Sequence, residues 1–283
     1  VALVALIILL PWFGAAVLPC LRPRLGRHFG SWALLPPAAS FLIALSFLSS
    51  VSSHQSVIYV LPWFPELGVN FSLWIDGLSL FFVLLIAGIG FLIAWYSRYY
   101  LSPSDRQGRY FTYLLLFTGA MLGLVLSANL ITLFVFWELT SISSFLLIGF
   151  WQTRGESLYG ARQALLVTVM GGLALLGGII LLEHLAGTLE LPELAASSEV
   201  IRQSPLYPVI LGLVLTGVCA KSAQFPLHFW LPNAMAAPTP VSAYLHSAAM
   251  VKAGLFLVCR MLPVLGGTAG WTYAILAIGF VTF

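Results

Sequence analysis

The stretch "VLTGVCAKSAQFPLHFWLP" (Val214–Pro232) decides the fold. It follows "PLYPVILG" (Pro205–Gly212), and together they place one ammonium group, Lys221, far inside an otherwise apolar run. Composition says what solvent surrounds that run. Over 283 residues, 60% are hydrophobic and only 7% are charged, with a mean hydropathy of +1.02. A soluble domain carries about 25% charged residues. So few charges cannot cover a water-facing surface, and the chain reads as an all-α, polytopic transmembrane helix bundle.

Five residues after Lys221 comes Pro226. Proline removes a backbone donor and clashes with the carbonyl one turn back, so it breaks the helix. A broken helix persists in a membrane only where protein or water satisfies the freed groups. Transporters place ion sites at such discontinuities. A lysine one turn before the break is therefore a stronger functional indication than a lysine alone. The competing reading is a snorkelling side chain near a helix end, and the apolar residues on both sides weigh against it.

Outward from this segment, apolar runs of about 20 residues recur, the length that spans a hydrocarbon core. Nine are read at Val1–Leu21, Gly30–Ser53, Asp76–Arg98, Tyr110–Ser127, Asn129–Phe150, Ala161–Ala186, Leu206–Phe225, Thr239–Leu262 and Thr268–Phe283. The last is read as cut short, and the chain as incomplete at its C-terminus. We divide it into an N-terminal region of three helices, 1–109, and a module at 110–283. The connection His54–Ile75 contains "SVIYVL" and "VNFSLW", which have strand composition and flank a Pro- and Gly-containing turn. A hairpin over one end of the bundle is expected there.

Arginines in the loops set the expected orientation. Arg22, Arg24, Arg27, Arg98, Arg106, Arg109, Arg154 and Arg162 fall on one side, and only Arg202 and Arg260 on the other. Eight against two puts the first side in the cytoplasm and the amino terminus outside. Cys20, Cys219 and Cys259 lie in apolar segments without metal-ligand spacing and read as core residues. No phosphate loop, zinc spacing, nucleophile motif or basic nucleic-acid patch is present. No cofactor, metal or nucleic-acid partner is expected.

Four ionisable residues remain at membrane depth: Glu138, Lys221, His246 and Lys252. A charge at mid-bilayer costs about 2.5 to 3.5 kcal/mol on insertion scales, so such groups face water or a partner. Glu138 is the one acid of "LITLFVFWELTSISSFLLIGFW", and Ser141, at i+3, is placed to help solvate it. The alternative is a structural ion pair. Lys221 needs a partner from another helix, and Glu138 is the best placed in depth. His246 and Lys252 share "PTPVSAYLHSAAMVKAGLFLV", and on a regular helix they stand about 120° and about 9 Å apart. Both could border one polar cavity, though a satisfied core histidine explains His246 equally well. His228 reads as interfacial, with Phe229 and Trp230 as aromatic anchors. Asp76 reads as a helix cap.

These stretches carry a resemblance. "SLWIDGLSLFF", "FWELTSISSFLLIGFW" and "AKSAQFPLHFWLPNAMAAPTPVSAYLHSAAMVKAG" resemble the proton-translocating antiporter-like subunits shared by Mrp-type cation/proton antiporters and respiratory complex I. The wording "YLHSAAMVKAG" favours the Mrp branch, and there the amino-terminal part of its large A-type subunit. The resemblance implies that Glu138 pairs with Lys221 on a broken helix, that His246 is the family's eighth-helix histidine, and that Lys252 follows it. It also implies two inverted repeats, of which the second broken helix is absent here. The expected function is proton translocation coupled to sodium efflux, within a hetero-oligomeric complex in the lipid bilayer. Lys221 would accept and release the proton, and His246 and Lys252 would pass it on. Two alternatives stand beside it: a membrane-arm subunit of a complex I-type oxidoreductase, and a structural scaffold with an inactive ion path.

Overall fold

The computed structural model describes residues 2–26, 29–53, 55–102 and 105–282. Arg27, His54 and the two terminal residues, Val1 and Phe283, among the positions read above, lie outside the described residues. In chain order the elements are α1 (Ala2–Leu25), α2 (Phe29–Trp32), α3 (Leu35–Leu45), α4 (Leu48–Ser52), β1 (Val57–Phe64), β2 (Val69–Ile75), α5 (Gly77–Tyr100), α6 (Gln107–Leu126), α7 (Leu130–Ile148) and α8 (Gly155–Ala186). There follow α9 (Leu191–Ala196), α10 (Ser198–Gln203), α11 (Tyr207–Lys221), α12 (Trp230–Ala234), α13 (Thr239–Ala243), a π-helical turn (Tyr244–Ala248), α14 (Lys252–Leu265) and α15 (Ala269–Thr282).

Among the described residues, seven helical segments are long and apolar enough to cross a membrane, and two shorter apolar helices, Tyr207–Lys221 and Ala269–Thr282, complete the nine. Three segments are interrupted. The second breaks into α2, α3 and α4, with Pro36 and Pro37 opening α3, where a missing N–H costs nothing. The seventh ends at Lys221, and the eighth is interrupted between the π-helical turn and α14.

The hairpin forms as expected. β1 pairs antiparallel with β2 from Val57↔Ile75 to Phe64↔Val69, with a bulge between Pro62 and Phe64. Gly68, at φ 64°, closes the turn, a conformation that glycine adopts without steric cost. The bridge Leu73↔Ser127 fastens the hairpin to the turn between α6 and α7, and the bridge Asn129↔Glu190 joins that turn to the connection between α8 and α9. Glu190 Oε1 there accepts from Asn70, Ser72 and Asn129 at 3.0, 2.9 and 2.9 Å. Asn129 Oδ1 in turn caps α7, accepting from the N–H of Ile131 at 3.0 Å.

α6 lies at the centre, packed against α1 and α7, with most of its length buried. α8 packs against α7, α11 and α12. Close approach along α8 depends on Gly171 and Gly172: a Cβ at the first would overlap Ala220, and at the second Glu138 Oε1. α7, α8 and α11 thus converge on the middle of the bundle.

Candidate functional site

α11 delivers Lys221 to the site by stopping there. Its final carbonyls would be orphaned, yet those of Val218, Cys219 and Ala220 are taken up. Ser222 N–H donates to Val218 at 2.8 Å, Gln224 N–H to Cys219 at 2.9 Å, and the Trp230 indole to Ala220 at 2.9 Å. Ala223, at φ 50°, turns the chain away in the left-handed region that alanine rarely enters. Pro226 lies within the break, as expected, but the helix ends earlier than proline alone requires. Capture of the carbonyls and the turn at Ala223 end it directly after Lys221.

Lys221 is fully buried. Its ammonium donates to Ser141 Oγ at 2.7 Å and to the Trp137 carbonyl at 2.9 Å, and lies 5.2 Å from the centre of the Trp137 ring. Trp137 and Ser141 are one turn apart on α7, and this places both acceptors on one face. The ring supplies a further attraction for a cation. All three are neutral.

Glu138 leaves α7 about 100° round from Trp137. Its Oε1 is buried against Gly172 and has no hydrogen-bond partner among the described residues. Ser141, expected to solvate this carboxylate, instead accepts from Lys221, while its own hydroxyl donates to the Trp137 carbonyl at 3.3 Å. The one ion pair within 4.0 Å among the described residues is Arg260–Asp76. The structure therefore brings Lys221 and Glu138 to the same turn of α7 without direct contact between amine and carboxylate.

His246 sits in the π-helical turn. Its ring is 6.0 Å from that of Trp230, and neither ring nitrogen has a partner among the described residues. Lys252 opens α14, beyond an irregular stretch in which Ala249 has φ −126° and ψ −78°. Regular helical spacing between His246 and Lys252 therefore does not apply. Lys252 lines a cleft of about 300 Å³ with Ser222, Gln224 and apolar residues of α11, α14 and α15.

Residues 127–283 match the family described as "NADH:quinone oxidoreductase/Mrp antiporter, TM", and residues 63–111 match "NADH-Ubiquinone oxidoreductase (complex I), chain 5 N-terminus". The chain belongs to the NADH:quinone oxidoreductase/Mrp antiporter family. The A1 subunit of a Na(+)/H(+) antiporter of Staphylococcus haemolyticus is 49% identical over 99% of this chain and 35% of that protein. Its counterpart in Staphylococcus aureus is 47% identical over the same shares. The chain spans about a third of the length of these curated relatives. Among solved structures, the Mrp complex from Dietzia sp. DQ12-45-1b superposes with a TM-score of 0.87 at 37% identity, over 99% of this chain and 30% of that one. An archaeal respiratory membrane complex, the membrane-bound sulfane sulfur reductase, gives 0.84 at 27% identity, over 97% and 56%.

Two features of this NADH:quinone oxidoreductase/Mrp antiporter chain were not legible in its sequence. Trp230 is no interfacial anchor: it is fully buried, with its indole on the Ala220 carbonyl. His228 and Phe229 are the exposed members of that group. Asp76 does cap α5, accepting from Ser79 N–H at 2.8 Å, but it also binds Arg260 through two bonds of 2.6 and 3.0 Å. Arg260, placed by the loop count at a membrane face, lies instead over the Trp74 ring at 4.3 Å, nearly buried. Burial pushes the Asp76 carboxyl up, but the Arg260 guanidinium and the Ser79 donors outweigh it and hold it below the ordinary carboxylate range. A separation of 184 residues concealed this pair.

Proposed function

We propose that this chain carries a proton path within a membrane subunit of a multi-subunit Na+/proton antiporter. The path runs through Glu138, Lys221, His246 and Lys252, and the region 110–283 is the module that holds it. One observation carries the reading: a fully buried ammonium, at the end of a broken helix, held by neutral acceptors. Such an amine has no fixed counter-ion to keep it charged. Its protonation therefore responds to Glu138, to waters and to displacement of α11. The staphylococcal antiporter relatives and the Mrp complex support sodium/proton exchange and partner subunits. The breadth of the family leaves a complex I-type membrane arm as the second reading, favoured by the likeness to an archaeal respiratory complex. The level of identity to the antiporter relatives favours the first.

The setting proposed is a prokaryotic cell membrane, with the arginine-rich loops in the cytoplasm and the amino terminus outside. Protease access to an amino-terminal tag from the outer face checks the orientation. The function is tested in membranes lacking other antiporters. Assembly containing the wild-type chain should acidify or alkalinise vesicles in response to sodium gradients, and Lys221→Ala should reduce this to background. Full sodium-dependent exchange by the variant would refute the assignment. Redox-driven pumping without sodium exchange would favour the second reading.

A further inference from the structure

The two interrupted helices of the site meet at their interruptions. Lys221 ends α11, and the next residue, Ser222, donates its hydroxyl to the Val251 carbonyl at 2.6 Å. Val251 in turn immediately precedes Lys252, the first residue of α14. One hydrogen bond thus joins the sequence neighbours of both lysines. On its own side Ser222 is already fixed, its N–H given to Val218 and its carbonyl accepting from the Gln224 side chain at 3.0 Å. The hydroxyl is the group that crosses. Opposite it lies Gly254, where a Cβ would overlap the Ser222 hydroxyl and come within 2.9 Å of the Val218 carbonyl. The backbones approach this closely because residue 254 has no side chain. Ser222 and Lys252 also line the same cleft.

We propose that Ser222 is a positioning residue: its bond to Val251, seated by Gly254, holds the break bearing Lys221 and the break bearing Lys252 at one separation, across which the proton passes. This rests on the proton path proposed above. Transfer between two nitrogen bases, directly or through water, requires donor and acceptor to keep a near-attack geometry, and small misplacements slow it steeply. Two discontinuous helices joined only by apolar packing would not keep that geometry. A hydrogen bond at the discontinuities fixes it where the lysines attach.

The test uses the whole assembly in vesicles, with rates normalised to assembled complex. Ser222→Ala should lower sodium-driven exchange about fivefold, the effect of one hydrogen bond. It should also enlarge the slowing in deuterated water, because proton transfer becomes the limiting step. A loss of folded molecules would lower the rate but leave the isotope effect at its wild-type value. Gly254→Ala keeps the hydroxyl but wedges the breaks apart, and should give the same isotope signature. The double variant should be no worse than Gly254→Ala alone, because both changes remove one shared contact. Amide hydrogen exchange gives a readout that needs no transport: residues 249–253 should exchange faster in Ser222→Ala, and residues 207–217 as in wild type. Faster amide exchange with a wild-type rate and isotope effect would overturn the proposal, as would unchanged amide exchange. Failure of the proton path itself would show differently, as full transport by Lys221→Ala while the amide readout still responds to Ser222.

Discussion

Among the described residues the bundle buries two cations, Arg260 and Lys221, and it holds them in opposite ways. Arg260 has a carboxylate partner in Asp76, bound twice, with aromatic rings of Trp74 and Phe256 stacked on its guanidinium. Lys221 has a hydroxyl, a carbonyl and the ring of Trp137. The first arrangement compensates a charge that never leaves, since arginine keeps its proton in proteins. The second accommodates a charge without fixing it. An ammonium among neutral acceptors can lose its proton and leave only hydrogen bonds unmade, whereas a guanidinium deprived of its carboxylate leaves a whole charge uncompensated. Burial of a cation therefore does not by itself distinguish a structural group from a transporting one. On the function proposed above, the partner set does.

That contrast can be broken most severely at Arg260. Arg260→Met should destabilise the fold by about 3 to 5 kcal/mol, because it strands a partly buried Asp76 carboxylate. It should appear as a lower thermal midpoint and a reduced yield of assembled protein. The molecules that do assemble should retain their exchange rate. If Arg260→Met leaves stability intact and abolishes exchange, the two cations have exchanged roles and the comparison fails. A smaller effect is expected at Ser141. Ser141→Ala removes one of two acceptors from the Lys221 ammonium, worth about 1.5 to 3 kcal/mol for a charged hydrogen bond. It should cut exchange about tenfold or more while leaving assembly near wild type. Equal exchange by the variant would mean that the hydroxyl does not support the charged form.

The smallest effect is the pH response of the Arg260 pair. Asp76 is held below its ordinary range, so its contribution to stability is present above the ordinary carboxylate value. It is lost as pH falls through the lower value of the folded state. The thermal midpoint should be flat from neutral pH to about 5 and fall below about 4. Asp76→Asn, less stable throughout, should lack that part of the fall.

How much of this was legible beforehand follows the range of the forces involved. Spans and hairpin depend on local composition, and a 20-residue apolar run or a β-branched, aromatic segment shows itself. The Asp76 cap is local as well, three residues from Ser79. Lys221 and Glu138 were conspicuous because charges are rare in this chain. Their lack of direct contact was not readable. It depends on how α7 and α11 each pack on α8, where Gly172 meets Glu138 and Gly171 meets Ala220. The interruption of the eighth segment carries no proline or glycine at residues 244–251 to announce it. It is stabilised from outside, by the Tyr244 hydroxyl on the Ile86 carbonyl at 3.0 Å and Thr118 at 3.1 Å, and by Ser222 on Val251. Each of these links joins residues remote in sequence.

The length of α8 has its own consequence. Its 32 residues extend about 48 Å, while the hydrocarbon core is about 30 Å thick. Glu156 near one end and Glu183 near the other are thus set far enough apart to be wetted at opposite faces. The rod that presses on Glu138 and Ala220 is in this way footed in both aqueous compartments. A tilt of this helix imposed at either surface would shift Gly171 and Gly172 against Ala220 and Glu138, the neighbours of the lysine.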